Sequence, residues 1–231
     1  MGYIWGGIKQ AIALIIQLDP EVVEIVWTSV KLSTISTLLA SIIGIPGGIA
    51  VSKIDFKGKY LFDTILNTLL SLPTVVVGLA VYSLISYRGP LGQLELLFTG
   101  KGIILGQVIL ILPIIVALVR NAIHEIDDRI YDTAISLGAT GTQRFRLLIS
   151  EARYGIMGAV VAGYGRVIGE VGVSMMLGGN IRRVTRTITT AIALETNKGR
   201  FSFGIALGLI LLSISFIVNF LIYYLQTGDK E

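Results

Sequence analysis

Cysteine is absent from the 231 residues, which excludes disulfides and any thiol chemistry and leaves the compartment unreadable from redox grounds. Charge is scarce. Only 15% of the chain is Asp, Glu, Lys or Arg, against 53% hydrophobic residues and a mean hydropathy of +0.79. That is far from the composition of a soluble domain, and too little polar chain remains to cover long apolar helices in water. No G-x-x-x-x-G-K-[ST] phosphate loop occurs. The glycines of "GYGRVIG" (Gly163 to Gly169) have one residue too many for a dinucleotide fingerprint and sit in an apolar run. The net charge of +4 is spread over loops, with no basic helix or aromatic platform, so nucleic acid is not an expected partner.

What the chain does contain is five apolar runs, each of about 18 residues or more, enough to cross ~30 Å of hydrocarbon at ~1.5 Å per residue. The first lies between Lys31 and Lys53, and the second follows Asp63 ("TILNTLLSLPTVVVGLAVYSLISY"). The third lies between Lys101 and Arg120, the fourth begins near Tyr154, and the fifth runs from Phe201 to about Leu225. The expected fold is an all-α membrane protein with about five transmembrane helices, forming a single domain over residues 1–231. Residues 1–19 lack a basic region before their apolar stretch, and Lys9 interrupts it, so they do not read as a signal peptide. Ile4, Ile8, Ile12, Ile15 and Ile16 share a helical face beside Trp5, as in a short interfacial helix. Asp19-Pro20-Glu21 then reads as an N-cap, a proline at the first helical position and an acid in the first turn.

The longest polar stretch, residues 120–153, predicts a helix–glycine–helix elbow outside the membrane. Asp127 or Asp128 caps a short helix through Leu137, Gly138 stops it, and Thr140 or Thr142 starts a second helix with Phe145, Leu148 and Ile149 on one side. An ordinary connecting loop is the plain alternative. The fourth run, "YGIMGAVVAGYGRVIGEVGVSMMLGG", spaces Gly155, Ala159 and Gly163 by four, and likewise Gly158 with Ala162 and Gly165 with Gly169. Small residues at that spacing admit a second helix closely, so this helix is expected to be central and protein-facing. Arg166 and Glu170 lie four apart near mid-depth, where an unpaired charge costs a few kcal/mol or more. They are expected to pair and to face the interior, either lining a path or bridging two helices.

"DTAISLGATGTQRFRLLI" resembles the cytoplasmic coupling loop of permease subunits of binding-protein-dependent ABC importers. Asp132, Thr133, Ala134 and Gly138 fall at the spacing of the Glu-Ala-Ala-x-x-x-Gly element, and Leu148 stands at its later isoleucine. Ser150 and Glu151 depart from the Leu-Pro that follows. "GRVIGEVGVSMMLGGNIRRVTRTITTAI" is similar to the matching stretch of molybdate- and tungstate-type permeases. The matching residues are Arg166, Gly169-Glu170, Gly172, Gly179-Asn180-Ile181 and Thr185-Arg186-Thr187. "SLPTVVVGL" (Ser71 to Leu79) and "AIALETNKGRFSFGIALGLILL" extend the similarity, the latter toward the tungstate branch.

The resemblance implies a non-enzymatic permease that imports a tetrahedral oxyanion, most readily tungstate, with molybdate or sulfate as alternatives. A membrane assembly or signalling subunit is the rival from another class. It implies a homodimer, a separate ATPase subunit carrying ATP and Mg, an extracytoplasmic binding protein, and no cofactor in this chain. Asp132, Thr133, Ala134, Gly138 and Ala139 would dock the ATPase. Arg166, Glu170, Asn180, Thr185 and Thr187 would form the path or its gate. Asn180, Thr185, Thr187, Thr189 and Thr190 are expected to supply neutral donors at the outer mouth. Arg182, Arg183 and Arg186 would steer the anion or dock the binding protein, unless they merely reach for the interface. Five spans put the termini on opposite sides. The nearly balanced loop charges lean toward a cytoplasmic C-terminus and an outer N-terminus.

Overall fold

The computed structural model describes the backbone of residues 2–54 and 57–227, while the side chains of residues 2–4, 7, 10, 128, 221–223 and 225–227, the candidate cap Asp128 among them, lie outside the described residues. The described residues form α1 (Gly2–Ile16), α2 (Pro20–Lys53), α3 (Lys59–Leu70), α4 (Thr74–Ile85), α5 (Gly100–His124), α6 (Asp128–Ser136) and α7 (Gly141–Glu151). Then come α8 (Arg153–Ile168), α9 (Gly172–Gly178), α10 (Ile188–Asn197) and α11 (Phe201–Thr227), with no strand among them. Three helices, α2, α5 and α11, are long and apolar enough to cross a membrane on their own. Two bent pairs, α3 with α4 (bent by 102°) and α8 with α9 (bent by 59°), bring the candidate spans to five where each pair is counted as one.

Asp19 starts α2 as its sequence predicts. Its side chain accepts hydrogen bonds from the N–H groups of Glu21 (2.9 Å) and Val22 (3.2 Å), and Pro20 fills the first turn, where no N–H is needed. The helix continues for 34 residues, longer than the run from Lys31 to Lys53 alone. It passes through Pro46 without ending. α2 and α5 lie side by side and run in the same direction: Gly100 meets Leu32, Gly44 meets Ile115, and Gly48 meets Val116 and Val119. At Gly48 a Cβ would stand 2.8 Å from the Val116 carbonyl oxygen and 2.8 Å from Val119 Cβ, so only glycine fits that approach. α8 runs the opposite way along α5, with Gly155 against Ala122 and Gly163 against Ile111 and Ile115.

Buried Ile111, Ile115, Val119, Ile123, Ala159 and Val167 form the centre of the main apolar core. Polar ties cross it. Ser36 Oγ donates to Gln107 Oε1 (2.7 Å), and Ser29 Oγ accepts from Ile188 N–H (2.6 Å), joining α2 to α5 and to α10. The outer faces stay apolar and exposed, for example Trp27, Ile42, Leu212 and Phe216, as a lipid-facing surface requires. α1 is not isolated: it packs along α11, and its Ala11 is fully buried.

Two expectations are corrected. The run after Asp63 is not one straight span, because α3 ends at Leu70, the chain turns through Ser71-Leu72-Pro73, and α4 starts at Thr74. Proline disfavours helical backbone at the residue before it, and here the turn is sharp. The fourth run is also broken: α8 stops at Ile168, with Gly169 at its end, before α9 begins at Gly172. Its small residues divide between two faces. Gly155, Ala159 and Gly163 pack on α5, whereas Gly158 and Gly165 have open space beyond their Cα atoms.

Candidate functional site

The two breaks meet. A Cβ on Gly172, at the start of α9, would stand 2.9 Å from Thr74 Oγ1 and 3.2 Å from Val75, at the start of α4. α9 then runs beside α4, with Gly78 against Val173 and Met176. α3 climbs about 18 Å and α8 about 24 Å from the elbow end before breaking, so the junction lies well along the candidate spans from the elbow.

Glu170 occupies this junction and is 3% exposed. Its Oε1 accepts from the Val173 N–H (3.2 Å), capping α9, and its Oε2 lies 3.3 Å from Arg166 Nη1. Its carbonyl oxygen accepts from Thr189 Oγ1 (2.7 Å), in the first turn of α10. The starts of α4, α9 and α10 therefore meet at residues 170–172, and the Glu170 carboxylate caps α9, a helix start that favours negative charge. The predicted Arg166–Glu170 pair is present, but it bridges the end of α8 and the break rather than two turns of one helix. Glu170 is buried, whereas Arg166 is 42% exposed on the single chain.

The threonines are used differently from what their donor chemistry suggests. Thr185 Oγ1 donates to the Gly178 carbonyl and accepts from Ile181 N–H (3.0 Å), closing the loop after α9. Thr187 and Thr190 form a reciprocal capping box at the start of α10. All four hydroxyls, Thr189 included, are buried and engaged, so they are not free donors at a mouth. Asn180 holds a left-handed backbone (φ 52°) after Gly179 (φ 67°), and its amide donates to the Thr190 carbonyl (3.3 Å). These contacts fix the loop and α10 against the junction.

The arginines beyond the loop are paired as well. Arg182 (2.9 Å) and Arg186 (3.2 Å) both reach Glu21, and Arg183 lies 3.8 Å from Glu24, all on the first turns of α2. Arg186 is mostly buried and holds the loop down; Arg182 and Arg183 remain exposed. Where α10 turns into α11, Glu195 is 1% exposed between Lys198 (3.3 Å) and Arg200. Burial pushes its carboxyl up, but the hydrogen bonds and charges of Arg200 and Lys198 outweigh that and hold it below the usual carboxylate range.

At the other end stands the elbow. Asp127 caps α6 through the Arg129 N–H (2.9 Å), Gly138 turns the chain with φ +77°, and Thr140 opens α7 in a capping box with Gln143. Asp132, Thr133 and Gly138 are exposed, with Ile135 and Leu137 beside them, while Ala134 and Ala139 are half-buried. Leu148 and Ile149 anchor the far side in the core. Tyr131 of α6 lies between Lys53 at the end of α2 (4.8 Å) and Arg144 of α7 (5.9 Å), tying the elbow to the long helix. Among the described residues no cluster of His, Cys, Asp or Glu has the arrangement of a metal site.

Residues 40–228 match the family described as "Binding-protein-dependent transport system inner membrane component". The chain belongs to that family. It is 45% identical over 226 residues to the tungstate uptake system permease protein TupB of Campylobacter jejuni, covering 98% of this chain and 95% of that protein. It is 43% identical over 202 residues to a probable anion ABC transporter permease of Haloferax volcanii, covering 85% and 87% of the two chains. Permeases named for sulfate and molybdenum transport are more distant relatives. The fold is that of a chain from the MetNI methionine ABC transporter in an inward-facing conformation. That match has a TM-score of 0.72 and 18% identity, and covers 90% of this chain and 96% of that one. The chain is thus a multi-pass ABC importer permease. A broken second span and a mid-depth carboxylate are part of how this permease folds.

A polar face was missed in the sequence. Tyr60, Asp63, Thr64, Asn67 and Thr68 of α3, with Ser71 capping its end, recur at intervals of one, three or four residues, a pattern readable within "YLFDTILNTLLS". The hydropathy of the whole run concealed it.

Proposed function

We propose that this permease imports tungstate across a cell membrane as a homodimer, driven by a separate ATPase and fed by an extracytoplasmic binding protein. The observation that carries the substrate is near-full-length similarity to a tungstate permease, well above that to molybdenum and sulfate permeases. ATP and Mg belong to the ATPase. The elbow, with Asp132, Thr133, Ala134, Gly138 and Ala139, is the surface that receives it, on the cytoplasmic side with the C-terminus. The N-terminus starts on the outer side. Arg182 and Arg183, exposed beyond the loop, favour approach of an anion or of an acidic face of the binding protein.

In this reading ATP-driven closure displaces the elbows. The push passes through Tyr131 to Lys53 of α2 and through α7 into α8, whose upper end is the junction at Arg166 and Glu170. Asn180, Thr185 and Thr187 act on the gate by holding α10 against Glu170 rather than by touching the anion. The neutralised carboxylate leaves no surplus negative charge facing a dianion.

The test is uptake of labelled tungstate into proteoliposomes holding the permease, its ATPase and its binding protein, against excess molybdate and excess sulfate. ATP-dependent uptake that survives a large excess of sulfate and is reduced less by molybdate than by unlabelled tungstate is expected. Equal competition by molybdate would move the substrate assignment; no ATP-dependent uptake of any of the three would end the oxyanion reading.

A further inference from the structure

The polar face of α3 has no role in the junction or the elbow. On a helix at ~100° per residue, Tyr60, Asp63, Thr64, Asn67, Thr68 and Ser71 occupy an arc of about 140°. They run from the elbow end to the mid-depth break, antiparallel to α5. With Arg120 they line an open polar cavity of about 670 Å³. The opposite side of α3 (Phe62, Ile65, Leu66 and Leu69) is apolar and borders a separate cavity against α5.

Asp63 Oδ2 pairs with Arg120 Nη2 at 2.8 Å. Asp63 Oδ1 and Arg120 Nε lie buried beside this bond without a hydrogen-bond partner. Thr64 and Thr68 satisfy themselves by donating to the carbonyls of Tyr60 (2.8 Å) and Thr64 (2.7 Å). No hydrogen bond engages the side chains of Asn67 and Ser71 among the described residues. An amide and a hydroxyl left open at this depth, next to an ion pair, do not belong against lipid tails. They need water or a ligand. The charges on the wall sum to zero, while Arg120, Tyr60, Asn67 and Ser71 all hold protons to donate. That combination greets an anion without trapping it, as a conducting surface must.

We propose that this face is the elbow-side leg of the anion path, and that Arg120, held in place by Asp63, is its oxyanion contact between the mid-depth junction and the elbow. The proposal rests on the oxyanion permease reading. It names residues outside the junction and the loop.

The absence of native cysteine makes it testable in the assembled transporter. Single variants Asn67→Cys, Thr68→Cys and Ser71→Cys, with Ile65→Cys as the apolar-side control, are labelled with a water-soluble neutral thiol reagent applied from the elbow side of membrane vesicles. The polar-face cysteines are expected to react roughly tenfold faster than Ile65→Cys, since only a hydrated thiol forms thiolate readily. Tungstate added on the same side should slow the reaction at Ser71→Cys, and chloride at equal ionic strength should not. Combined with Arg120→Gln the tungstate protection should vanish, and with Arg120→Lys it should persist in part.

Labelling without protection would overturn the oxyanion contact. Unreactive polar-face cysteines would show that the face is not hydrated, and cysteines that join two copies by disulfide on mild oxidation would show that a second copy covers it; either result would overturn the path. Three polar-face positions are used so that one poorly assembled variant does not decide the outcome. ATP-dependent tungstate uptake by the cysteine-free parent, measured alongside, separates failure of the path from failure of the substrate assignment.

Discussion

At Glu170 and Arg166 the two halves of one ion pair stand in unequal surroundings, and their removal should have unequal effects. Taking away Glu170 leaves Arg166 on a face that is 42% exposed on the single chain, which in the proposed path is open to water. Taking away Arg166 leaves a carboxylate that is 3% exposed with the Val173 N–H as its remaining side-chain partner. Breaking a buried pair so that a charge is stranded costs on the order of 3 kcal/mol, whereas losing a helix cap costs about 1 kcal/mol. Arg166→Gln is therefore expected to lower the thermal stability of the purified permease more than Glu170→Gln does. The double variant should recover part of the loss, because the stranded charge is gone. Equal effects of the two single changes, with no recovery in the double, would mean that the pair contributes nothing as a pair.

At the scale of elements, the elbow is where local chemistry decides structure. Gly138 has φ +77° and open space where a Cβ would be, so a substitution there strains the backbone by about 1 kcal/mol without a clash inside the chain. Gly138→Asp places a charge on the proposed docking face, whereas Gly138→Asn tolerates the same backbone with little bulk and no charge. Gly138→Asp is expected to leave the spans folded while ATP hydrolysis no longer tracks uptake; Gly138→Asn should keep most of the coupling. Normal coupled uptake by Gly138→Asp would remove this element from the ATPase interface.

The elbow was legible in the sequence because its caps, Asp127 and Thr140, and its stop, Gly138, act over three or four residues. The broken spans were not. Pro46, Pro73 and Pro113 all lie in apolar runs, yet only Pro73 stands at a break, and the other two sit inside continuous helices. What separates them is tertiary. The start of α4 is received by α9 at Gly172, and nothing near Pro73 in the chain announces that. The threonines of the loop were identified by chemistry but not by use, since a hydroxyl that caps α10 and one that greets an anion look alike in sequence. The α3 stripe was legible by its spacing and was masked by averaging hydropathy over the whole run.

Across the whole molecule, the elbow end connects to the junction through helices that fit by the absence of side chains. α2, α5 and α8 touch where Gly48, Gly155 and Gly163 face Val116, Ala122 and Ile115, and in the proposed mechanism the push from the elbow passes through these close contacts. Gly48→Ala tests this. The new methyl group would stand 2.8 Å from the Val116 carbonyl oxygen, a backbone atom inside a continuous helix that cannot step aside. Overpacking of that kind costs roughly 1–3 kcal/mol, against a gain of about 1 kcal/mol when alanine replaces glycine in a helix. Gly158→Ala, within α8, meets nothing within 4 Å and should keep the helical gain alone. Thermal unfolding of the solubilised chain is expected to fall for Gly48→Ala and to hold or rise for Gly158→Ala. In the assembled transporter Gly48→Ala should also reduce the uptake obtained per ATP hydrolysed, because α2 and α5 would be held apart between elbow and junction. If both variants are equally stable and equally coupled, the α2–α5 contact is loose, and the push from the elbow must reach Glu170 through α8 alone.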